Sequence, residues 1–264
     1  MNSSLARLRT PLESGFGQAG NIFALFVDVL RKTFRRPFEW REFIEQSWFI
    51  ASVSILPSAL VAIPFGAVVA LQTGSLIKQL GAESFTGATS VLATVQQAAP
   101  IVTALIIAGA AGSAVAADLG SRTIREEIDA LEVLGVDPVH KLVVPRVLGM
   151  TLVALLLNGL VSVVGIAGGY FFNVLLQGGT PGAYLASFSA LAQLPDLWIG
   201  EFKALVFGLI AGVIAAYKGL HPKGGPKGVG EAVNQSVVIT FLVLFFVNLI
   251  LTLVYLQVVP AKGA

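Results

Sequence analysis

The stretch QSWFIASVSILPSALVAIPFGAVVALQTGSLI, residues 46–77, lies between Glu45 and Lys78 and contains no Asp, Glu, Lys or Arg. About 20 apolar residues in a helix cross the roughly 30 Å hydrocarbon core of a bilayer, so this stretch is long enough to span a membrane. Further stretches of the same kind follow along the chain. Together they predict an all-α integral membrane protein with five spans, at about residues 48–72, 89–117, 145–176, 197–217 and 234–258.

The composition agrees with a membrane protein and excludes several other classes. Hydrophobic residues make up 55% of the 264 and charged residues only 12%, whereas an ordinary soluble domain is about 25% charged. The chain has no cysteine, which excludes a disulfide-stapled module and a thiolate site, and its two histidines are far apart in sequence. We therefore expect no metal, no cofactor and no catalytic residue in this chain. It also lacks a complete P-loop, so any ATP hydrolysis would require another polypeptide.

The distribution of basic residues predicts the orientation. Most of the 17 Lys and Arg residues lie on the flanks that share one side with the N-terminus. The positive-inside rule therefore places the N-terminus in the cytoplasm and the C-terminus outside. Within residues 1–46 we expect a cytoplasmic amphipathic helix lying in the membrane interface, although an ordinary solvated charge run is the alternative. Its basic residues would face anionic headgroups: Arg31, Lys32, Arg35 and Arg36.

Small residues recur at helical spacing in three of the predicted spans. Such faces let helices approach closely in lipid, and we expect packing within this bundle rather than a dimer seam. The glycines concerned are Gly109, Gly112, Gly165, Gly169, Gly208 and Gly212. No ionisable residue is predicted near the middle of a span, and Lys203 is expected to extend its ammonium group to the membrane interface. This pattern argues against an ion-coupled carrier and suits an apolar substrate.

The segment between the second and third spans has the pattern of a short acidic amphipathic helix, residues 121–135. Thr123 and Glu126 have the spacing of a capping box, and Gly135 is typical of a helix end. Apolar residues recur on one face: Ile124, Ile128, Leu131 and Leu134. A connector resting on the membrane is the alternative, but anionic headgroups would repel four acidic side chains. A cytoplasmic protein partner explains the acids better.

The sequence Glu126-Glu127-Ile128-Asp129-Ala130-Leu131, followed by Leu134-Gly135 and Pro138, resembles the signature of the MlaE/YrbE permeases. Residues 109–118 and 142–146 extend the resemblance, which is greatest to the actinobacterial YrbE type. It implies a permease domain over residues 47–264 in the cytoplasmic (inner) membrane. The acidic helix would be the coupling helix that contacts an ATPase, through Arg125, Glu126, Glu127, Asp129, Ala130, Glu132, Gly135 and Pro138.

The resemblance also implies the partners and the activity. The chain would be the non-catalytic permease subunit of an ATP-binding-cassette transporter, with ATP and magnesium bound by a separate ATPase. A second YrbE-type permease would complete a homo- or heterodimer, and a hexamer of MCE proteins would receive or deliver the lipid. No nucleic acid is implied. Two alternatives remain, a stand-alone secondary carrier or channel for an apolar substrate and a membrane-embedded enzyme acting on lipids.

Overall fold

The computed structural model describes residues 3–81, 85–176, 178, 180–182, 184–186 and 193–259, with the backbone alone over 3–16 and at 176. These residues are almost entirely helical and include no strand. Five helices are long and apolar enough to cross a membrane: Trp40–Gln79, Thr86–Ile124, Val139–Leu175, Leu194–Leu220 and Pro226–Val258. The prediction of an all-α protein with five spans is confirmed. Each helix extends beyond its predicted apolar segment because charged flanking residues continue the same helix.

The α-helices are numbered in chain order: α1 Ser3–Thr33, α2 Trp40–Gln79, α3 Thr86–Ala93, α4 Ala99–Ile106, α5 Gly112–Ile124, α6 Glu127–Val133, α7 Val144–Leu176, α8 Leu194–Leu220 and α9 Pro226–Val258. The first span is α2, and the second runs from α3 to α5. The third, fourth and fifth spans are α7, α8 and α9. Short π-helical turns interrupt the second span at Thr94–Ala98 and Ile107–Ala111 and begin the third at Val139–Val143.

The third span occupies the centre of the bundle and packs closely against the first and the fourth. A Cβ atom built at Gly208 would lie 2.7 Å from the Cα of Thr151, and one at Gly212 would lie 3.0 Å from the Cα of Val147. On the other side of α7, Gly165 packs against the backbone of Gly66. These backbones approach each other at distances that only glycine permits.

The remaining predicted packing glycines differ among themselves. A Cβ atom built at Gly169 would lie 3.3 Å from the Cβ of Ala70, and one built at Gly112 would lie 4.0 Å from the Cβ of Ala215. Gly109 has nothing within 4 Å of its Cβ position, so the expectation that it packs against another helix is not met. The reason is the π-helical turn Ile107–Ala111, which alters the angular spacing between Gly109 and Gly112.

Lys203 is buried rather than extended to the membrane interface, so the expectation of a snorkelling side chain is wrong. Its side chain is 1% exposed, and its ammonium group donates to the carbonyl oxygen of Gln96 at 2.9 Å and to Thr252 Oγ1 at 2.8 Å. The carbonyl of Gln96 is free to accept because the residue four positions later, Pro100, has no N–H. The bundle therefore holds a buried ionisable group toward one end of the fourth span, and the prediction that none lies near the middle of a span is unaffected.

Candidate functional site

The chain turns sharply between α5 and α6, where one continuous helix was predicted. Glu126 has a left-handed conformation with φ of 61° and separates the two helices. Thr123 belongs to the last turn of α5, and its hydroxyl donates to the carbonyl of Leu119 at 2.9 Å and to that of Gly219 at 3.3 Å. The predicted capping box is therefore wrong, because the N-cap of a capping box must precede the helix that it caps.

The end of α6 has the geometry that its glycine predicts. Gly135 has φ of +74°, and its N–H donates to the carbonyl of Glu132 at 2.9 Å. The N–H of Val136 donates to the carbonyl of Leu131 at 2.9 Å. This pair of hydrogen bonds is a Schellman motif, which satisfies the last carbonyl groups of the helix.

The short helix α6 has one face on the bundle and one face exposed. Ile128 is 8% exposed and Leu131 packs against the same core, so these two residues anchor the helix. Ile124 and Leu134 were predicted to share this face, but both are exposed, because the chain changes direction at Glu126 and α6 ends before Leu134. The exposed surface of α6 and of its C-cap residue, called the docking face below, combines acidic and apolar side chains: Asp129, Ala130, Glu132, Val133 and Leu134.

Ion pairs lead from α6 back to the end of the second span. Glu127 accepts from Arg125 at 2.9 Å and lies 3.8 Å from Arg122 Nη1. Arg122 in turn contacts Asp118 Oδ1 through its Nε at 3.2 Å. The carboxylate of Glu127 therefore fixes the start of α6 to α5.

A fully buried arginine continues this connection to two other spans. Arg146, at the start of the third span, is 0% exposed and pairs with Asp118 Oδ2 at 2.6 Å. Its Nη1 lies 3.1 Å from Glu42 Oε1 of the first span and donates to the carbonyl of Leu142 at 2.8 Å. We call the connected residues the ionic chain: Glu127, Arg122, Asp118, Arg146 and Glu42.

A second set of contacts fixes the start of the third span to α1. Asp137 accepts from the N–H of Val139 at 3.0 Å and pairs with Lys32 at 2.7 Å. Lys32 also pairs with Asp28 at 2.8 Å. Burial raises the pKa of the Asp137 carboxyl, but the hydrogen bond and charge of Lys32 outweigh it, so the net pKa is lowered. For Lys32, burial lowers the pKa, and the two carboxylates outweigh it, so the net pKa is raised.

These contacts change the interpretation of the basic residues at the end of α1. Lys32 points to Asp137, and Arg35 Nη1 lies 3.7 Å from the same carboxylate, so both have a partner within the chain. Arg31 and Arg36 are exposed. Contact with headgroups was expected for all four residues, and it stays a prediction.

The ionic chain was not predicted from the sequence, although part of its signal was available. Asp118 ends one charge-free run and Arg146 precedes the next, which places both at the same end of neighbouring antiparallel spans. Opposite charges at such positions are candidates for pairing. Glu42 carries no such signal, because it lies among other charged residues. Within the described part of the chain, no three His, Cys, Asp or Glu residues are grouped so as to hold a metal ion.

Comparisons with known proteins identify relatives over most of the chain. Residues 43–254 match the family model "Permease MlaE". A probable ABC transporter permease protein of Rickettsia typhi is 33% identical over 209 residues, which cover 78% of this chain and 80% of that protein. One from Synechocystis is 35% identical over 200 residues, 76% of this chain and 74% of that protein. The chloroplastic protein trigalactosyldiacylglycerol 1 of Arabidopsis thaliana is 28% identical over 196 residues, 74% of this chain and 56% of that protein.

Proposed function

The chain belongs to the MlaE family of ABC transporter permeases, and from that premise we propose that it passes a hydrophobic lipid between the cytoplasmic membrane and the cell envelope. Multi-pass insertion is consistent with its five apolar helices. The Arabidopsis relative carries the name of a glycolipid, trigalactosyldiacylglycerol, which favours lipid as the substrate class. The energy would come from ATP and magnesium bound by a separate ATPase subunit.

The docking face of α6 carries this proposal. It presents Asp129, Ala130 and Glu132 away from the bundle, while Ile128 holds the helix against the core. A rigidly anchored helix with an exposed acidic and apolar surface can bind a groove on a soluble protein. In the proposed orientation, with the N-terminus in the cytoplasm, this surface faces the compartment that contains the ATPase.

The ionic chain gives a physical route from that surface to the spans. Glu127 at the start of α6 connects through Arg122 to Asp118 and Arg146. Arg146 contacts carboxylates of the first and second spans from its own position in the third. Displacement of α6 by nucleotide-dependent movement of the ATPase would therefore act on three spans together. We assign Arg146 the role of a positioning residue in this coupling.

The remaining partners follow from the same proposal. A second YrbE-type permease would pair with this chain, as a homodimer or heterodimer, over two ATPase subunits. On the opposite side of the membrane, a hexamer of MCE proteins would dock and carry the lipid away from or toward the bundle. The chain would lie in the inner membrane with its N-terminus cytoplasmic and its C-terminus outside.

The proposal is tested by purifying the complex in mild detergent from its native membrane. Mass spectrometry should find an ATPase, a second permease and MCE proteins with the intact chain, together with bound lipid. Ala130→Trp adds bulk to the docking face without touching the core, and we expect it to remove the ATPase from the purified complex. The matched control is Leu194→Trp, because Leu194 is also exposed, at 77%, but lies at the start of the fourth span.

A stand-alone carrier or channel makes the opposite prediction. Such a protein would transport its substrate after removal of every ATPase partner, and transport would follow an ion gradient. Full transport activity by this polypeptide alone would overturn the proposal. Retention of the ATPase by the Ala130→Trp variant would overturn the assignment of the docking face and leave the family unchanged.

A further inference from the structure

An apolar groove lies between α1 and the fourth and fifth spans. Its volume is about 610 Å³, within the range of sites that bind small ligands. Three helices line it with aliphatic and aromatic side chains, which include Ile22, Phe26, Ile210, Ile214, Ile239 and Val243. The groove is separate from the docking face of α6 and from the ionic chain.

A small basic pocket adjoins one end of the groove. Gln18 lines both, so the two are neighbours on either side of this residue. Lys218 and Lys223 line the pocket, and Glu231 is the one acid among its lining residues. Lys218 is 6% exposed, and its ammonium group donates to the amide oxygens of Gln18 at 3.2 Å and Gln235 at 3.0 Å. Among the described residues, no carboxylate forms an ion pair with Lys218.

The first turn of α9 adds to the positive character of this pocket. Gly228 lines the pocket and lies directly against the carbonyl of Lys223, an approach that a side chain would prevent. The helix begins after Gly225 without a side-chain cap. The dipole of the helix favours an anion near its N-terminus. A buried lysine, a second lysine and a helix N-terminus therefore converge on one small polar space.

We propose that this groove and pocket form a binding site for one anionic lipid, with the acyl chain in the groove and the carboxylate or phosphate headgroup at Lys218. The order of polarity along α8 supports this occupant. Lys218 lies near the end of the span and Ile210 lies eight residues, or about 12 Å, deeper. A single leaflet has a hydrocarbon depth of about 15 Å, so the groove matches a lipid that stands in the leaflet next to α1.

Charge complementarity distinguishes this occupant from others. A helix of another protein would fill the groove but would leave the buried ammonium group without an anion. A soluble phosphate would satisfy Lys218 but would leave the groove empty. An anionic amphiphile satisfies both parts, because its acyl chain fills the groove and its headgroup forms a charge-assisted hydrogen bond with Lys218. The inference rests on the five-span arrangement and is independent of the proposed transport function.

The site is tested by photo-crosslinking the full chain in phosphatidylcholine nanodiscs. Three probes with a diazirine on the acyl chain are compared: phosphatidylglycerol, a fatty acid and phosphatidylcholine. We expect the anionic probes to label peptides of α1 and α9 around Phe26 and Val243, at least about fivefold more than phosphatidylcholine does. The relative labelling by phosphatidylglycerol and the fatty acid distinguishes a phosphate headgroup from a carboxylate.

Two pairs of variants separate the site from ordinary lipid contact. Lys218→Gln should reduce labelling by the anionic probes about fivefold, whereas Lys227→Gln, an exposed lysine in the same region, should not change it. Val243→Trp should block the groove, whereas Val238→Trp, a 51% exposed position on the same helix, should leave labelling intact.

Three outcomes would overturn the proposal. Equal labelling by phosphatidylcholine would show that Lys218 does not select an anion. Labelling spread evenly over the exposed apolar surface would show contact with bulk lipid only. A crosslink from the groove to a helix of a copurified protein in the native complex, with no lipid adduct, would assign the groove to that protein.

Discussion

Arg146 and Lys203 are both fully buried cations, but the bundle holds them in different ways. Arg146, at the end near α6, contacts carboxylates on two neighbouring spans. Lys203, toward the opposite end, contacts a backbone carbonyl and a hydroxyl, and no described carboxylate lies within ion-pair distance of it. Removal of one partner from a buried ion pair is costly because the other charge is left uncompensated, whereas removal of Lys203 leaves behind only neutral groups.

The two ends of the bundle are therefore connected by different kinds of contact. At the α6 end, charge neutralisation within the chain connects three spans, so their relative positions are fixed by strong and directional pairs. At the other end, the spans are connected by amide and hydroxyl groups. Gln96 donates to Asp196 at 2.7 Å, and Tyr255 donates to the same carboxylate. These hydrogen bonds join a neutral donor to a carboxylate, whereas the contacts at the α6 end join two opposite charges.

The largest expected effect comes from removal of the buried Arg146 at the α6 end of the bundle. Arg146→Met leaves the carboxylates of Asp118 and Glu42 without their buried partner, and we expect a loss of about 3 kcal/mol in the free energy of unfolding. Lys203→Met should change it by less than about 1 kcal/mol, because the lost hydrogen bonds offset the relief of burying a charge. Both are measured as changes in unfolding in detergent, followed by tryptophan fluorescence.

Arg41→Gln is the control for removal of an arginine that is not buried. Arg41 pairs with Glu45 at the surface, where its side chain is 91% exposed, and no change in stability is expected. Equal losses in Arg146→Met and Lys203→Met would contradict the distinction between the two cations.

A second prediction concerns the close contact between the third and fourth spans at Gly208. Gly208→Ala places a methyl group 2.7 Å from the Cα of Thr151, and we expect a loss of about 2 kcal/mol from the separation of the third and fourth spans. Gly109→Ala should cost nothing, since its Cβ position is open and alanine favours a helix. The thermal unfolding midpoint of each variant checks this prediction. A loss in Gly109→Ala equal to that in Gly208→Ala would refute the role assigned to close packing.

A third prediction tests whether the ionic chain carries coupling. Glu127→Lys replaces the partner of Arg122 and Arg125 with a like charge, which should displace the start of α6. In the reconstituted transporter, we expect about a tenfold loss of lipid transport per ATP hydrolysed, equivalent to about 1.4 kcal/mol of coupling. Glu127→Gln should have a smaller effect because the amide still accepts hydrogen bonds.

Glu45→Lys is the matched control, because it makes the same charge reversal at an exposed residue outside the ionic chain. Unchanged transport per ATP in Glu127→Lys, with the ATPase still bound, would show that α6 transmits motion by another route. Loss of the ATPase itself would instead assign Glu127 to assembly.

The sequence predicts the features that depend on composition and short spacing. Charge-free runs locate the five spans because burial of charge in lipid is costly over any part of their length. The end of α6 at Gly135 is equally local, since a Schellman motif needs only a residue that tolerates positive φ. Ile128 and Leu131 were predicted to share one apolar face, and both pack against the bundle.

Features that depend on distant parts of the chain were missed or wrong. Burial of Lys203 requires the carbonyl of Gln96, which is 107 positions away in sequence. The left-handed conformation of Glu126 is local, but the spacing of residue types around it favours a continuous helix and does not reveal it. Gly109 was misassigned because a π-helical turn changes which residues share a face.

The smallest expected effect concerns the ion pair between Lys32 of α1 and Asp137 at the start of the third span. Lys32→Gln removes the pair with Asp137, which is partly exposed, so we expect a loss of at most about 1 kcal/mol. The pKa of Asp137 is lowered from 3.8, so its stabilisation is present above 3.8 and is lost as the pH falls through the lowered value. The pKa of Lys32 is raised from 10.5, so its stabilisation is present below 10.5 and is lost as the pH rises through the raised value. The difference in unfolding midpoint between the parent and Lys32→Gln should therefore be constant from about pH 5 to 9 and shrink outside that range.

The control is Arg36→Gln, which changes an exposed basic residue of the same segment and should show no such pH dependence. A constant difference down to pH 3 would mean that the Asp137 carboxylate does not contribute to the attachment of α1, and that Lys32 stabilises the chain through its apolar stem alone.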